Sequence, residues 1–425
     1  MVSGLPWATP DPAARHTLGA RRMIARRRSL LGVYALAALA GLVLRVPLLS
    51  AAAAFVIIVG LAANQMARRS HAAVRVAHRL SQAGAAIGQD VDVWLTVENA
   101  ARWPLATVHF EDMVPEGLDV AAPAPRGMQR VFLGTMVWDV FHIAPRERVR
   151  HQLRVTARRR GRWLIGPARA WSRDPLGWAL FERASDPPIV LTVYPRLYRV
   201  PAGILTPSRP EGDRRGPPWH PPDPLRVVGV RPYQPGDSRR LIHPYATART
   251  GTLQVKRLEP AGDERLELLV LAATTPHAWE GADPARLEAL VSAAASVADY
   301  CLRAGRPLGL SLVGTVYGWP RGVTLPPARG ASQWARVMTA LAWVQQGGGQ
   351  GNDLGPALSA LARRLSPGDH LIYAACFHRP EWSRYLRLFT RRGIRVTYIP
   401  VGPHGGRPDA PGVRVVPWTP GGAES

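Results

Sequence analysis

The side chains with the greatest capacity for chemistry lie between Arg231 and Arg257. Arg231 and Tyr233 lead into a Pro-Gly-Asp turn at Pro235, Gly236 and Asp237, and Arg239 and Arg240 follow at once. Then come Ala246-Thr247-Ala248-Arg249-Thr250-Gly251 and an alternating, strand-like tail. Guanidinium groups are planar forks matched to carboxylates and phosphates, so the cluster read alone is an anion site. It holds no catalytic signature. The rest of the chain supplies no Ser-His-Asp set, no paired carboxylates and no phosphate loop. Gly347-Gly348-Gly349-Gln350-Gly351 is glycine-rich but no Lys-Ser or Lys-Thr follows it, which reads as a flexible loop between helices. His220 and His243 stand without a second ligand at a metal spacing. The expectation is therefore no enzyme and no cofactor. Cys301 and Cys376 make no disulfide framework and read as core residues of a protein in a reducing, cytosolic environment.

The chain that must position these residues has 425 residues, 47% of them apolar, and a formal net charge of +24. That apolar share supports folded cores and room for two or three domains. The charge suits an anionic membrane surface or nucleic acid, or reflects an arginine-rich composition alone. No zinc-finger spacing, RNA-binding aromatic signature or heptad zipper accompanies it, which argues against nucleic acid. A basic nucleic-acid or envelope adaptor stays open as the alternative, as does an unrecognised enzyme.

Leu30–Leu44 and Leu48–Ala63 are apolar runs separated by Arg45 and Pro47. About 20 residues span a bilayer. With Arg21, Arg22, Arg26, Arg27 and Arg28 before the first run and Arg68, Arg69, Arg75 and Arg79 after the second, both flanks are expected in the cytoplasm. The predicted arrangement is a transmembrane helical hairpin over residues 29–66, preceded by a disordered basic tail over 1–28. The localisation expected is the cell membrane, multi-pass, with soluble domains facing the cytoplasm.

Residues 79–200 carry short alternating runs, such as Val91–Asn99, separated by turns, which predicts an immunoglobulin-like β-sandwich. Within it Arg158-Arg159-Arg160-Gly161-Arg162-Trp163 is a cationic patch or a solvated hairpin turn. Arg173–Gly177 reads as a tight turn. Residues 201–225, rich in Pro and Gly, are expected to be an exposed linker, and residues 226–260 a junction. From 261 to 402 strands alternate with helices, the pattern of a doubly wound α/β domain whose ligands bind beyond the carboxyl ends of the strands. Residues 403–425 are expected to be a flexible tail.

The order of these parts, with Arg231, Tyr233, Pro235, Gly236 and Asp237 and then Arg240, Ile242, Ala248, Arg249 and Gly251, resembles the bacterial family known as domain of unknown function 58. Arg160-Gly161-Arg162-Trp163, Arg173–Gly177 and Val193-Tyr194-Pro195 match it as well. The resemblance spans roughly residues 30–402. It implies a last domain similar to a von Willebrand factor A domain, and a protein partner, a MoxR-type AAA+ ATPase, in assembly or activation of complexes. It makes the stretch around Arg239 and Arg240 a signature that braces domains or docks a partner. There are departures. His243-Pro244-Tyr245 stands where the family has Asp-Trp-Lys, and Pro244 lacks a backbone donor. The A-type metal motif has Ala272 at its first Asp, Thr274 and Pro276 at its two Ser positions, and Asn352-Asp353 at its Thr-Asp. Only Thr274, Asn352 and Asp353 keep oxygens, so the resemblance implies a degenerate, metal-free contact surface.

Overall fold

A computed structural model describes residues 32–121, 127–131, 134–173, 180–184, 187–201, 204, 222–234, 237–260, 265–319, 322–345, 353–402, 406–418 and 420. The expected tail over 1–28, the Gly347–Gly351 loop, Asn352, Pro235, Gly236, His220 and most of the 201–225 stretch lie outside them. The chain divides into two compact units, Met1–Val193 and Tyr194–Ser425.

The first unit opens with two helices, α1 (Gly32–Val43) and α2 (Pro47–Ala72). The break between them falls where the sequence places it: Arg45 takes φ 55°, the left-handed region, and Pro47 starts the next helix. Gly41 lies against the backbone of Leu49 and Ser50, where an added Cβ would sit 2.6 Å from the Ser50 nitrogen. Among the described residues, one helix is long and apolar enough to cross a membrane, over Pro47–Met66. The described part of α1, Gly32–Val43, accounts for about 18 Å of the roughly 30 Å hydrocarbon core. Leu36, Leu42, Leu48, Phe55 and Ile58 are all exposed.

Twelve described strands follow: β1 (Val74–Leu80), β2 (Gly84–Ala86), β3 (Asp90–Asn99), β4 (Leu105–Pro115), β5 (Leu118–Ala121), β6 (Gly127–Val131), β7 (Gly134–Ile143), β8 (Arg148–Ala157), β9 (Gly161–Ile165), β10 (Arg169–Arg173), β11 (Leu180–Ala184) and β12 (Ile189–Tyr194). They form sheets in the orders β1-β3-β8-β5, β11-β10-β4-β7-β6 and β2-β12-β9. Alternation decides which face is covered. In β3, Val91, Val93, Leu95 and Val97 are buried while their neighbours are not, as period-two side-chain direction requires. These residues share two apolar clusters with Val114, Phe110, Val137 and Ile143 of the second sheet, so the first two sheets pack face to face. The Arg158–Trp163 stretch is no free cationic patch. Arg158 pairs with Asp119 at 2.7 Å and Arg159 with Glu116 at 3.3 Å, Arg160 is buried, and Trp163 covers Gly117 so closely that any Cβ there would collide with its ring.

In the second unit β13 (Pro222–Pro232) and β14 (Gln254–Pro260) form an antiparallel two-stranded ribbon with α3 (Pro244–Thr250) between them. Two expectations for this part are corrected. The stretch expected as an exposed linker over 201–225 ends inside β13, and Ile204 is buried in the core. Then come β15 (Leu266–Leu271), α4 (Pro284–Arg303), β16 (Leu308–Val313), β17 (Val323–Ala328), α5 (Gly330–Ala342), α6 (Gly355–Arg364), β18 (His370–Ala375), α7 (Ser383–Arg391), β19 (Arg395–Pro400) and β20 (Val413–Val415). They build one six-stranded sheet in the order β17-β16-β15-β18-β19-β20. All pairs are parallel except the β16–β17 hairpin. Every residue of β15 is buried, as expected of a strand covered on both faces. β20 corrects the flexible tail expected over 403–425: it pairs with β19, Ala410 is buried, and Trp418 packs on the core.

Candidate functional site

The signature residues divide into two groups by what they touch. Arg231, near the end of β13, holds Asp237 with both prongs of its fork, Nη1 to Oδ2 at 2.7 Å and Nη2 to Oδ1 at 2.6 Å. Asp237 also accepts from the Gln234 N–H at 2.8 Å, so one carboxylate closes the turn and ties it to the strand. These bonds favour the ionised form, and the Arg231 guanidinium foremost holds the Asp237 carboxyl below its ordinary value. The Tyr233 N–H donates to the Leu253 carbonyl at 2.8 Å across the ribbon.

α3 is positioned by its two ends. His243 is its N-cap, Nδ1 accepting from the Ala246 N–H at 3.2 Å. Pro244 sits in the first turn, where a missing N–H costs nothing because that group has no helical partner. The substitution of His-Pro-Tyr therefore leaves a capped helix, and the local pairing is intact: the His243 N–H donates to the Gln254 carbonyl at 2.8 Å. Gly251 closes the helix at φ 70°, its N–H bonded to the Thr247 carbonyl, the left-handed position that glycine fills without strain. Thr247 Oγ1 accepts from the Gln254 N–H at 3.0 Å and pins the inner side of α3 to β14.

The second group points away from all of this. Arg239 and Arg240, in a short 3-10 turn, and Ala248 and Arg249, on α3, are exposed. Tyr245 is 86% exposed. Among the described residues, none of Arg239, Arg240, Tyr245 and Arg249 has a hydrogen-bond or ion-pair partner. α3 buries no residue at all.

The carboxyl ends of β15 and β18 are adjacent, with the chain leaving them in opposite directions across the sheet, the place where a ligand crevice is expected. Ala272 is buried there. Thr274 is buried too, its hydroxyl accepting from the Asp283 N–H at 2.9 Å. Asp283 caps α4 through the Ala285 and Arg286 N–H groups. Asp353 accepts from the Gly355 N–H at 2.8 Å and from Trp382 Nε1 at 3.4 Å. Among the described residues the Thr274 hydroxyl and Asp353 Oδ1 are thus committed to the protein, and Mg²⁺ needs several free hard oxygens in octahedral array. The donor set does not fit that ion. A cation of another kind joins the two loops: Arg379 Nη2 donates to the Pro276 carbonyl at 2.5 Å, with its guanidinium 5.5 Å from the Trp382 ring centre. Arg379 went unremarked in the sequence, although a lone arginine just beyond a strand end is the signal for it.

Burial governs several of the remaining titratable groups. Burial pushes the Cys301 and Cys376 thiols up to about 12 and the His370 and His378 imidazoles down to about 4. His370 Nε2 meets Thr397 Oγ1 at 2.8 Å and His378 Nε2 meets Ser383 Oγ at 2.9 Å. Glu267, on central strand β15, is 1% exposed. Its Oε1 accepts from Ser311 Oγ at 2.6 Å and Arg364 lies 3.6 Å from Oε2; burial raises its carboxyl. Nothing in Leu266–Leu271 as a sequence announces a buried charge.

A family model described as Protein of unknown function DUF58 matches residues 229–401, which include the end of β13, α3, β14 and the sheet as far as β19. No curated protein matches. Among solved structures the chain is similar to a CARDB domain of the PF1109 protein from Pyrococcus furiosus, in complex with di-metal ions, at 9% identity, 28% of this chain, 86% of that chain and TM-score 0.19. It is also similar to a non-cellulosomal cohesin from Archaeoglobus fulgidus at 13% identity, 28% of this chain, 90% of that chain and TM-score 0.22. A type II cohesin domain from the cellulosome of Acetivibrio cellulolyticus matches at 9% identity, 28% of this chain, 94% of that chain and TM-score 0.22. Similarity at these scores carries no weight for what this chain does. Over residues 229–401 the chain is similar to the family of proteins of unknown function DUF58.

Proposed function

We propose that this chain is a membrane-anchored, non-enzymatic interaction protein that works with a MoxR-type AAA+ ATPase in assembling or activating protein complexes. The observation that carries the reading is the divided signature. Arg231 and Asp237 hold the turn together, while Arg239, Arg240, Tyr245 and Arg249 stand exposed beside the ribbon with no partner among the described residues. Exposed side chains held on a fixed scaffold serve recognition better than stability. The α/β unit is read as a von Willebrand factor A-like domain that has lost its metal residues, with Arg379 supplying a fixed positive charge between the loops after β15 and β18.

The anchor is α2, whose apolar segment Pro47–Met66 has 20 residues, enough for about 30 Å. The apolar run before it starts at Leu30, and the arginines at both outer flanks favour a two-helix hairpin with both ends in the cytoplasm. Affinity isolation of the full-length protein from native membranes, with hydrolysis of ATP blocked, recovers a MoxR-type AAA+ ATPase on this reading. Isolation that returns no AAA+ protein overturns it.

A further inference from the structure

We propose that the outer face of α3 and the turn before it form a docking surface for an acidic segment of a partner protein, with Arg239, Arg240 and Arg249 taking carboxylates and Tyr245 taking an apolar side chain between them. This rests on the interaction-protein reading and gives it a location and a chemistry.

The charge of the face is one-sided. Arg239, Arg240 and Arg249 are exposed and have no partner among the described residues. The one carboxylate in this turn and helix, Asp237, is engaged by the Arg231 fork. The complement of three free guanidinium groups is a set of carboxylates, which the fork binds in bidentate fashion. Tyr245 and Arg249 are four residues apart on α3, hence on one side of the helix. Tyrosine and arginine are the residue types that dominate interface energetics.

The face is also preorganised. The His243 cap, the Gly251 closure and the bond from Gln254 to Thr247 fix α3 on β14, so little ordering remains to oppose binding. A lipid surface fits less well. Interfacial binding scales with buried apolar area, and Tyr245 is the one large apolar side chain that α3 presents outward.

The test uses the full-length protein in detergent micelles, fluorescein-labelled poly-glutamate as the acidic probe, and phosphatidylserine vesicles as the lipid probe. Exposed pairs contribute about 0.2–1 kcal/mol each, so the Arg239→Ala, Arg240→Ala, Arg249→Ala triple variant is expected to weaken poly-glutamate binding by about tenfold. The same arginines changed to lysine weaken it less, Tyr245→Ala has no effect on this purely acidic probe, and Arg391→Ala, an exposed arginine on α7, has none. Unchanged near-ultraviolet circular dichroism shows that each variant is folded. Poly-glutamate binding that the triple variant leaves intact overturns the proposal. So does binding of phosphatidylserine vesicles, but not poly-glutamate, that depends on the three arginines. The probe contains no ATPase, so this test fails or succeeds independently of the isolation from membranes.

Discussion

Arg231 and Asp237 show how one residue pair converts a flexible turn into a fixed one. The fork occupies both carboxylate oxygens, and the Gln234 N–H adds a further bond to Oδ2. Because the folded carboxyl lies below its ordinary 3.8, its contribution to stability is complete above that value and is lost as pH falls through the lower folded value. Arg231→Ala is expected to move the Asp237 titration back up toward 3.8, read from its carboxyl carbon by NMR. An unmoved titration means that the pair does not hold the turn. The two cysteines give a second residue-scale expectation. With both thiols pushed up to about 12, the reactive thiolate is scarce. Mass spectrometry should find Cys301 and Cys376 unalkylated by iodoacetamide in the folded protein at mildly alkaline pH and alkylated after denaturation.

At the scale of elements, Arg379 joins the loops after β15 and β18. Arg379→Ala removes the bond to the Pro276 carbonyl and the contact with Trp382. Hydrogen exchange of the backbone amides in residues 274–283 and 376–382 is expected to quicken, while exchange in β15 and β18 stays as it was. A chelator should change neither the exchange nor partner binding; a chelator effect on both would restore a metal to this site. The elements differ in how legible they were. α4 could be read to the residue because Asp283 is a capping type, Pro284 sits at the first helical position, and Leu287, Leu290, Val291 and Ala294 repeat on one face. β17 was not read, because Pro326 and Pro327 argue against a strand; it is tolerated as the antiparallel edge of the sheet. β20 was hidden among Gly and Pro, and its pairing with β19 is a tertiary event. The candidate site was half legible. The turn residues and the arginines were visible as a cluster, but which of them brace and which stand free depends on where the ribbon packs, and a linear pattern does not carry that.

At the scale of the whole molecule, the buried histidines set a pH dependence. His370 and His378 stay neutral in the folded chain down to about 4, whereas in the unfolded chain they take up protons near 6.5. Between those values the unfolded state binds more protons, so stability falls as pH falls, by up to about 1.4 kcal/mol per pH unit for His370 and by less for the half-buried, solvent-screened His378. Glu267 tilts the other way. Its carboxyl is raised above 4.5, so its contribution is complete below 4.5 and is lost as pH rises through the folded value. Urea unfolding across this range should therefore give a shallower acid loss for His370→Gln than for the wild type, and a steeper one for Glu267→Gln. Equal slopes in all three proteins would contradict the burial assigned to these groups. The central claim concerns the exposed signature face, and the most direct measurement places a photocrosslinker on it. Tyr245→p-benzoylphenylalanine in the full-length protein, illuminated in native membranes, is predicted to yield an adduct with an AAA+ ATPase through an acidic segment of that partner, and to lose it when Arg239, Arg240 and Arg249 are changed to alanine. Adducts with lipid alone, or no adduct, would contradict the account.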